Sequence, residues 1–167
     1  QGRSKTLGQK VNPIGFRIAV DHAWRSQWFA GKADFGNLLA EDQMIREEVK
    51  KRLEGAAIAK IVIERFANRA RVNIYSARPG VVIGRKGQDI DRLREDLSKK
   101  TGKEIYLEIQ EVRAPDANAQ LVAEGVAQQI ERRVALKRAM KRAEKVAMDM
   151  GCDGIKIRCS GRINGAE

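Results

Sequence analysis

The sequence predicts an α+β fold. Residues 40–112 read as helix, strand, strand, helix, helix, strand, each with one apolar face. After Arg113 the chain turns helix-rich. At 167 residues and 43% hydrophobic content, there is material for one ordinary domain or two small ones, each with a packed core. The expected divisions are an arm at 1–39, a first α/β domain at 40–112 and a C-terminal mixed α/β domain at 113–167.

The arm opens on polar and basic residues. Gly8, Pro13 and Gly15 punctuate it, and Lys10 adds a cation. Trp24, Trp28 and Phe29 follow closely. A stacking platform for bases is one reading; packing into a core is the one favoured here.

A helix is expected from about Ala40 to Leu53. Glu41 and Asp42 stand in its first turn and Lys50, Lys51 and Arg52 in its last, the order the helix dipole favours. Ile45, Val49 and Leu53 form one stripe, and Gly55 can end it. KIVIERF reads as a strand with Ile61 and Ile63 on one face. RVNIYSA reads as another with Val72 and Ile74 inward, after a hairpin turn that includes Asn68. Val81–Ile83 begin a short helix. A longer one repeats Ile90, Leu93 and Leu97 at helical spacing and closes at Thr101-Gly102. EIYLEIQEV alternates as a third strand. Helices then cover one side of a three-stranded sheet.

Beyond it, Pro115 and Asp116 are expected to open a helix. Its stripe runs through Ala119, Val122, Ala123, Val126, Ala127 and Ile130. A second helix spans about Ala135–Met150, and GIKIRCSG reads as a strand.

Lys and Arg outnumber Asp and Glu by 33 to 22, giving a net charge of +11. A polyanionic partner suits that balance. The excess is spread: +4 over residues 1–40, +3 over 41–111 and +4 over 112–167. No apolar run is long enough to span a membrane, and the polar start does not read as a signal peptide. Cys152 and Cys159 fit no zinc spacing, and His22 is the sole histidine. Free thiols of a cytoplasmic protein are expected, with no metal and no cofactor.

Two features point to the polyanion. Gly84-Arg85-Lys86-Gly87 lies between two helices after the hairpin. Glycines let the backbone turn sharply and approach another backbone. The amides opening the next helix face the same spot, where an anion is favoured. Arg85 and Lys86 add charge. In this element order the stretch VIGRKGQDI reads as the GXXG loop of a KH domain, which clamps about four nucleotides of single-stranded backbone. A Walker loop would need four residues between its glycines and then Lys-Ser or Lys-Thr; a dinucleotide fingerprint would need three glycines. The second feature is the helix near 135–150. At about 100° per residue, Arg133, Lys137, Arg138, Lys141, Arg142 and Lys145 share one face. Ala135, Leu136, Ala139, Met140, Ala143, Val146, Ala147 and Met150 cover the other. Solvated faces usually mix signs, so this face is read as contacting RNA. Only 5% of residues are aromatic, so phosphate contact rather than base stacking should supply most affinity.

GQKVNPIGFRI, W-x3-WFA, IVIER, ARPGVVIGRKG, LVAEGVAQQIERRV, KRAMKRA and SGRINGAE occur in this order. On these motifs the chain, from Gly8 to Glu167, resembles the bacterial-type family of the third protein of the small ribosomal subunit. The resemblance implies a type II KH domain followed by a C-terminal domain with two helices packed on a short sheet. It implies a place on the subunit head, against small-subunit ribosomal RNA and neighbouring head proteins. It also implies a share in lining the channel through which messenger RNA enters. Lys137, Arg138 and Lys141 match the family's basic group facing that channel, which assists unwinding passively. The family often has Arg where Lys137 stands, and Lys lacks its bidentate phosphate contact. Lys10 and Arg162 lie in matching stretches and join the RNA-binding candidates. A cytoplasmic ribosomal location follows, an organellar ribosome being the other setting. Gln1–Leu7 precede the family's usual start. The family continues with further strands beyond the position of Glu167, so a shortened chain is expected.

Other classes fit less well. A free-standing KH regulator would rest its affinity on the GXXG loop and tolerate loss of Lys137, Arg138 and Lys141. A nuclease would need a catalytic constellation. Asp89, Asp91, Glu95 and Asp96 lie at helical spacings beside Arg92 and Arg94 and read as a solvated face. No enzymatic activity, membrane partner or small-molecule substrate is expected.

Overall fold

The computed structural model describes residues 8–67, 69–84 and 87–162. Its centre is a four-stranded sheet in the order β1-β2-β3-β4. β2 (Ile58–Phe66) and β3 (Arg69–Ser76) form an antiparallel hairpin, and β4 (Glu104–Glu111) lies parallel to β3. Parallel neighbours need a crossover; α3 (Pro79–Ile83) and α4 (Gln88–Thr101) supply it. Register sets Ile63, Val72 and Leu107 in one row and Ile61, Ile74 and Ile109 in the next. Ile45 and Val49 of α2 (Lys32–Arg52), Val82 of α3 and Leu93 and Leu97 of α4 close over that face, all buried. The order helix, strand, strand, helix, helix, strand is therefore present as expected. Gly102, in the left-handed region at φ 66°, ends α4 by donating its N–H to Ser98 O.

Three differences from expectation have physical causes. First, α2 begins at Lys32, about two turns before Ala40, so the expected 39/40 division falls inside a helix. Those first turns carry exposed Phe35 and Leu39, and without a buried stripe they give no periodic signal. Second, the arm adds a strand. Ser26 and Gln27 form β1, parallel to β2 at Ile63 and Glu64. Third, core packing holds for only part of the aromatic segment. Trp28 is half-buried against Phe35, with ring centroids 5.5 Å apart. Trp24 is 63% exposed and Phe29 97%. The arm also contains a short helix, α1 (Pro13–Arg17), capped by the Asn12 side chain.

After β4, Pro115–Ala117 make a 3-10 turn rather than the start of a long helix. α5 (Ala119–Glu131) starts where Asn118 Oδ1 accepts from the Gln120 and Leu121 N–H groups. An N-cap asparagine does this well. α6 (Leu136–Asp149) packs on α5, and Val126 of α5 and Ala139 and Ala147 of α6 are buried. Ala135 and Met150, expected on the packing face, are exposed. Ile155, Ile157 and Cys159 are half-buried, alternating with exposed Lys156, Arg158 and Ser160. The period is a strand's, yet the segment joins no ladder among the described residues. A strand needs a hydrogen-bonded neighbour, and apolar alternation alone does not provide one.

Candidate nucleic-acid interface

α3 ends at Ile83, and Gly84 takes φ 69°, ψ −168°, a region essentially confined to glycine. Its N–H donates to Gly80 O at 3.1 Å. Gly87 caps α4 in the left-handed region at φ 79°. The two glycines serve differently. A Cβ on Gly87 would meet nothing within 4 Å, so its need is backbone conformation alone. A Cβ on Gly84 would overlap the Asp89 carboxylate and lie 2.7 Å from Asp89 Cβ. The room expected for an approaching backbone is taken here by a side chain of the same chain. Arg85 and Lys86 lie outside the described residues.

α6 is the most one-sided element. Lys137, Arg138, Lys141, Arg142 and Lys145 are all exposed. At about 100° per residue they span an arc of roughly 140°. Among the described residues no carboxylate comes within ion-pair distance of any of them. Asp149 shares the stripe at its C-terminal end, an acid the sequence reading did not place there. Arg133 is not on the helix. It sits in the bend between α5 and α6 at φ 62°, exposed, its N–H donating to Ile130 O. Lys10 is exposed in the arm, away from any regular element, and Arg162 is exposed at the far end of the described chain.

Elsewhere cations hold structure together. Asp42, 1% exposed, accepts from Trp28 Nε1 and Ser26 Oγ, each at 2.8 Å, and from Arg65 Nε and Nη2 at 2.9 and 2.6 Å. Arg65 also reaches Glu41, which pairs with Lys103 at 2.8 Å. Arg46 donates to Ile61 O, Arg25 O and Ser26 Oγ, tying the arm to the sheet edge. Burial pulls the Arg46 guanidinium below its ordinary value, and Asp42 opposes that pull. This network was missed. Its signal was present: Asp42, Ile45 and Val49 share one helix face once the helix is long enough to place Asp42 in its interior.

The acids near the loop include both paired and unpaired groups. Asp91 pairs with Arg94 at 3.1 Å, and Asp96 with Arg52 at 2.6 Å, joining α4 to α2. Lys100 reaches Glu48 at 2.9 Å, and that contact, before the contribution of Arg52, holds the Glu48 carboxyl below the ordinary glutamate range. Among the described residues no three His, Cys, Asp or Glu side chains cluster to hold a metal. No helix among the described residues is long and apolar enough to cross a membrane.

The KH domain family matches residues 44–117, and the C-terminal domain of ribosomal protein S3 matches residues 126–167. The small ribosomal subunit protein uS3 of Geobacter sulfurreducens is 55% identical over 161 residues, covering 96% of this chain and 76% of that protein. The chain belongs to the uS3 family. The uS3 proteins of Azorhizobium caulinodans and Nitrobacter winogradskyi are 55% and 56% identical, again over 96% of this chain. The chain spans 65% of the first and 70% of the second, about two thirds of their length. The uS3 family is structural and non-enzymatic, as the sequence reading expected. The KH match covers β2, β3, β4 and the glycine loop, but not β1. The C-terminal match begins inside α5 and includes the whole basic face of α6.

Proposed function

We propose that the chain is a structural, RNA-binding constituent of the small ribosomal subunit, cytoplasmic with its ribosome. The observation that carries this is the exposed, unpaired cation row of α6 in a uS3 chain. Five like charges on one helix repel one another unless an anion screens them, and ribosomal RNA is a dense array of phosphates. Small-subunit ribosomal RNA is the proposed main partner. Lys10, Arg133, Arg162 and the loop residues Gly84, Arg85, Lys86 and Gly87 are proposed as further contacts. The division at 112/113 then separates two RNA-facing units, the glycine loop on one and α6 on the other.

The finer assignment follows from the same stripe. Lys137, Arg138 and Lys141 are proposed to face the channel through which messenger RNA enters and to assist unwinding passively, by holding single-stranded phosphates. The exposed aromatic arm, with Phe16 74%, Trp24 63% and Phe29 97% exposed, is proposed to pack against neighbouring proteins of the subunit head. Apolar area of this kind on an isolated chain marks an interaction surface.

The test is sucrose-gradient sedimentation of the tagged chain from its native cell at moderate salt with magnesium. Co-migration with small subunits and whole ribosomes, lost when EDTA unfolds the subunits, is the expected result. Migration only in light, RNase-sensitive fractions of both this chain and a version extended to its relatives' length would favour a free KH regulator.

A further inference from the structure

Asp153 and Gly154 carry a chemistry that RNA binding does not use. Of the nine aspartates, only Asp153 is followed by glycine. Both residues are exposed, and they lie just beyond α6 in a segment that joins no helix or ladder among the described residues. The Asp153 carboxylate takes part in no hydrogen bond or ion pair among those residues, and the Gly154 N–H donates to none of their acceptors. A backbone amide in a helix or sheet is held by its acceptor; this one is not. A Cβ on Gly154 would meet nothing within 4 Å, so no neighbour crowds the approach. Glycine also leaves its own nitrogen open and its backbone free to turn toward the preceding carboxyl.

We propose that Asp153-Gly154 is a site of spontaneous isomerisation to isoaspartate. The Gly154 nitrogen attacks Asp153 Cγ. A C–N bond forms, a carboxyl C–O bond breaks, and the amide proton leaves with the hydroxyl as water. The five-membered imide then takes up one water. Opening at the side-chain carbonyl restores aspartate. Opening at the main-chain carbonyl leaves isoaspartate, with the chain now running through Cβ. The main chain thus gains one carbon just before Ile155, Ile157 and Cys159. Those residues line a groove of about 480 Å³ with Val122 and Val126 of α5 and Ala147 of α6. An added backbone carbon shifts their seating there. Only three buried apolar residues hold α5 and α6 together, so the loss of this cover should loosen the unit.

The experiment ages the full chain for weeks at physiological temperature and neutral pH. Tryptic digests are followed at the peptide Val146–Lys156, and electron-transfer fragmentation separates isoaspartate from aspartate. Asp149, inside α6, is the internal control in the same peptide. Reading by peptide keeps the site apart from Asn164-Gly165, which can form the same product and lies outside the described residues. The isomer should accumulate at Asp153 and not at Asp149. Gly154→Ala should suppress it. That variant should fold, because Gly154 is outside the left-handed region and has open space for a Cβ. The aged parent should melt below the aged Gly154→Ala chain. Absence of the isomer at Asp153, or equal amounts in Gly154→Ala, would overturn the site. Isomer at Asp153 with equal melting temperatures would overturn the unseating of Ile155, Ile157 and Cys159.

Discussion

The KH unit and the α5–α6 unit are both basic, but they use their cations differently. In the KH unit, Arg46, Arg52, Arg65, Lys100 and Lys103 bond carboxylates or backbone carbonyls, and they join α2, α4, the arm and the sheet. They surround a core of thirteen buried apolar residues. In the α5–α6 unit, three buried apolar residues hold two helices together, and the α6 cations are exposed and unpaired. The difference shows that the number of cations in a segment does not tell how many of them are free of carboxylates. Residues 41–111 hold 16 cations and residues 112–167 only 11, yet the smaller set contains the exposed row that no carboxylate of the described residues pairs.

The comparison can be broken at its strongest point. Asp42→Ala removes the acceptor shared by Trp28, Ser26 and Arg65 and leaves the Arg65 guanidinium, 6% exposed, without its closest partner. Breaking a buried pair in this way costs about 3 kcal/mol or more. Urea unfolding should show that loss, and Trp28 should become more accessible to a soluble quencher. RNA affinity of the still-folded fraction should stay within about twofold. A smaller effect is expected at Arg133. Its left-handed backbone is strained for a residue with a Cβ, so Arg133→Gly should stabilise the chain by about 0.5–1 kcal/mol, as relief of that strain outweighs the greater freedom of unfolded glycine. The same variant should weaken RNA binding two- to fivefold, the effect of one lost phosphate contact. Stabilisation without weakened binding would remove Arg133 from the proposed RNA contacts.

Most of the KH fold was legible because its elements bury one face each. Ile61, Ile63, Val72, Ile74, Leu93 and Leu97 carry the periodicity in the sequence and form the core in the structure. What was missed buries little or bonds through polar atoms. The first turns of α2 and the two-residue β1 have no apolar stripe. Asp42 resembled a helix-end charge because its partners lie 14 to 23 residues away. Pro115 suggested a helix start that Asn118 provides instead. Ile155, Ile157 and Cys159 showed a strand's alternation without the partner strand that would make one. At the candidate site, the glycines and the α6 stripe were readable from spacing. The displaced position of Arg133 and the carboxylate over Gly84 depend on backbone torsions that spacing does not encode.

The most direct test is the salt dependence of RNA binding for two triple charge reversals with equal change in net charge. One places Glu at Lys137, Arg138 and Lys141 on α6. The other places Glu at Arg52, Arg94 and Lys100 in the KH unit. Each single-strand phosphate contact contributes about 0.7 to the slope of log affinity against log salt. The α6 variant should lose about 2 from that slope with its melting temperature nearly unchanged. The KH variant should keep most of the slope and melt lower. Equal loss of slope in both, or loss confined to the KH variant, would contradict the claim that the free cations of α6 are the RNA-binding ones.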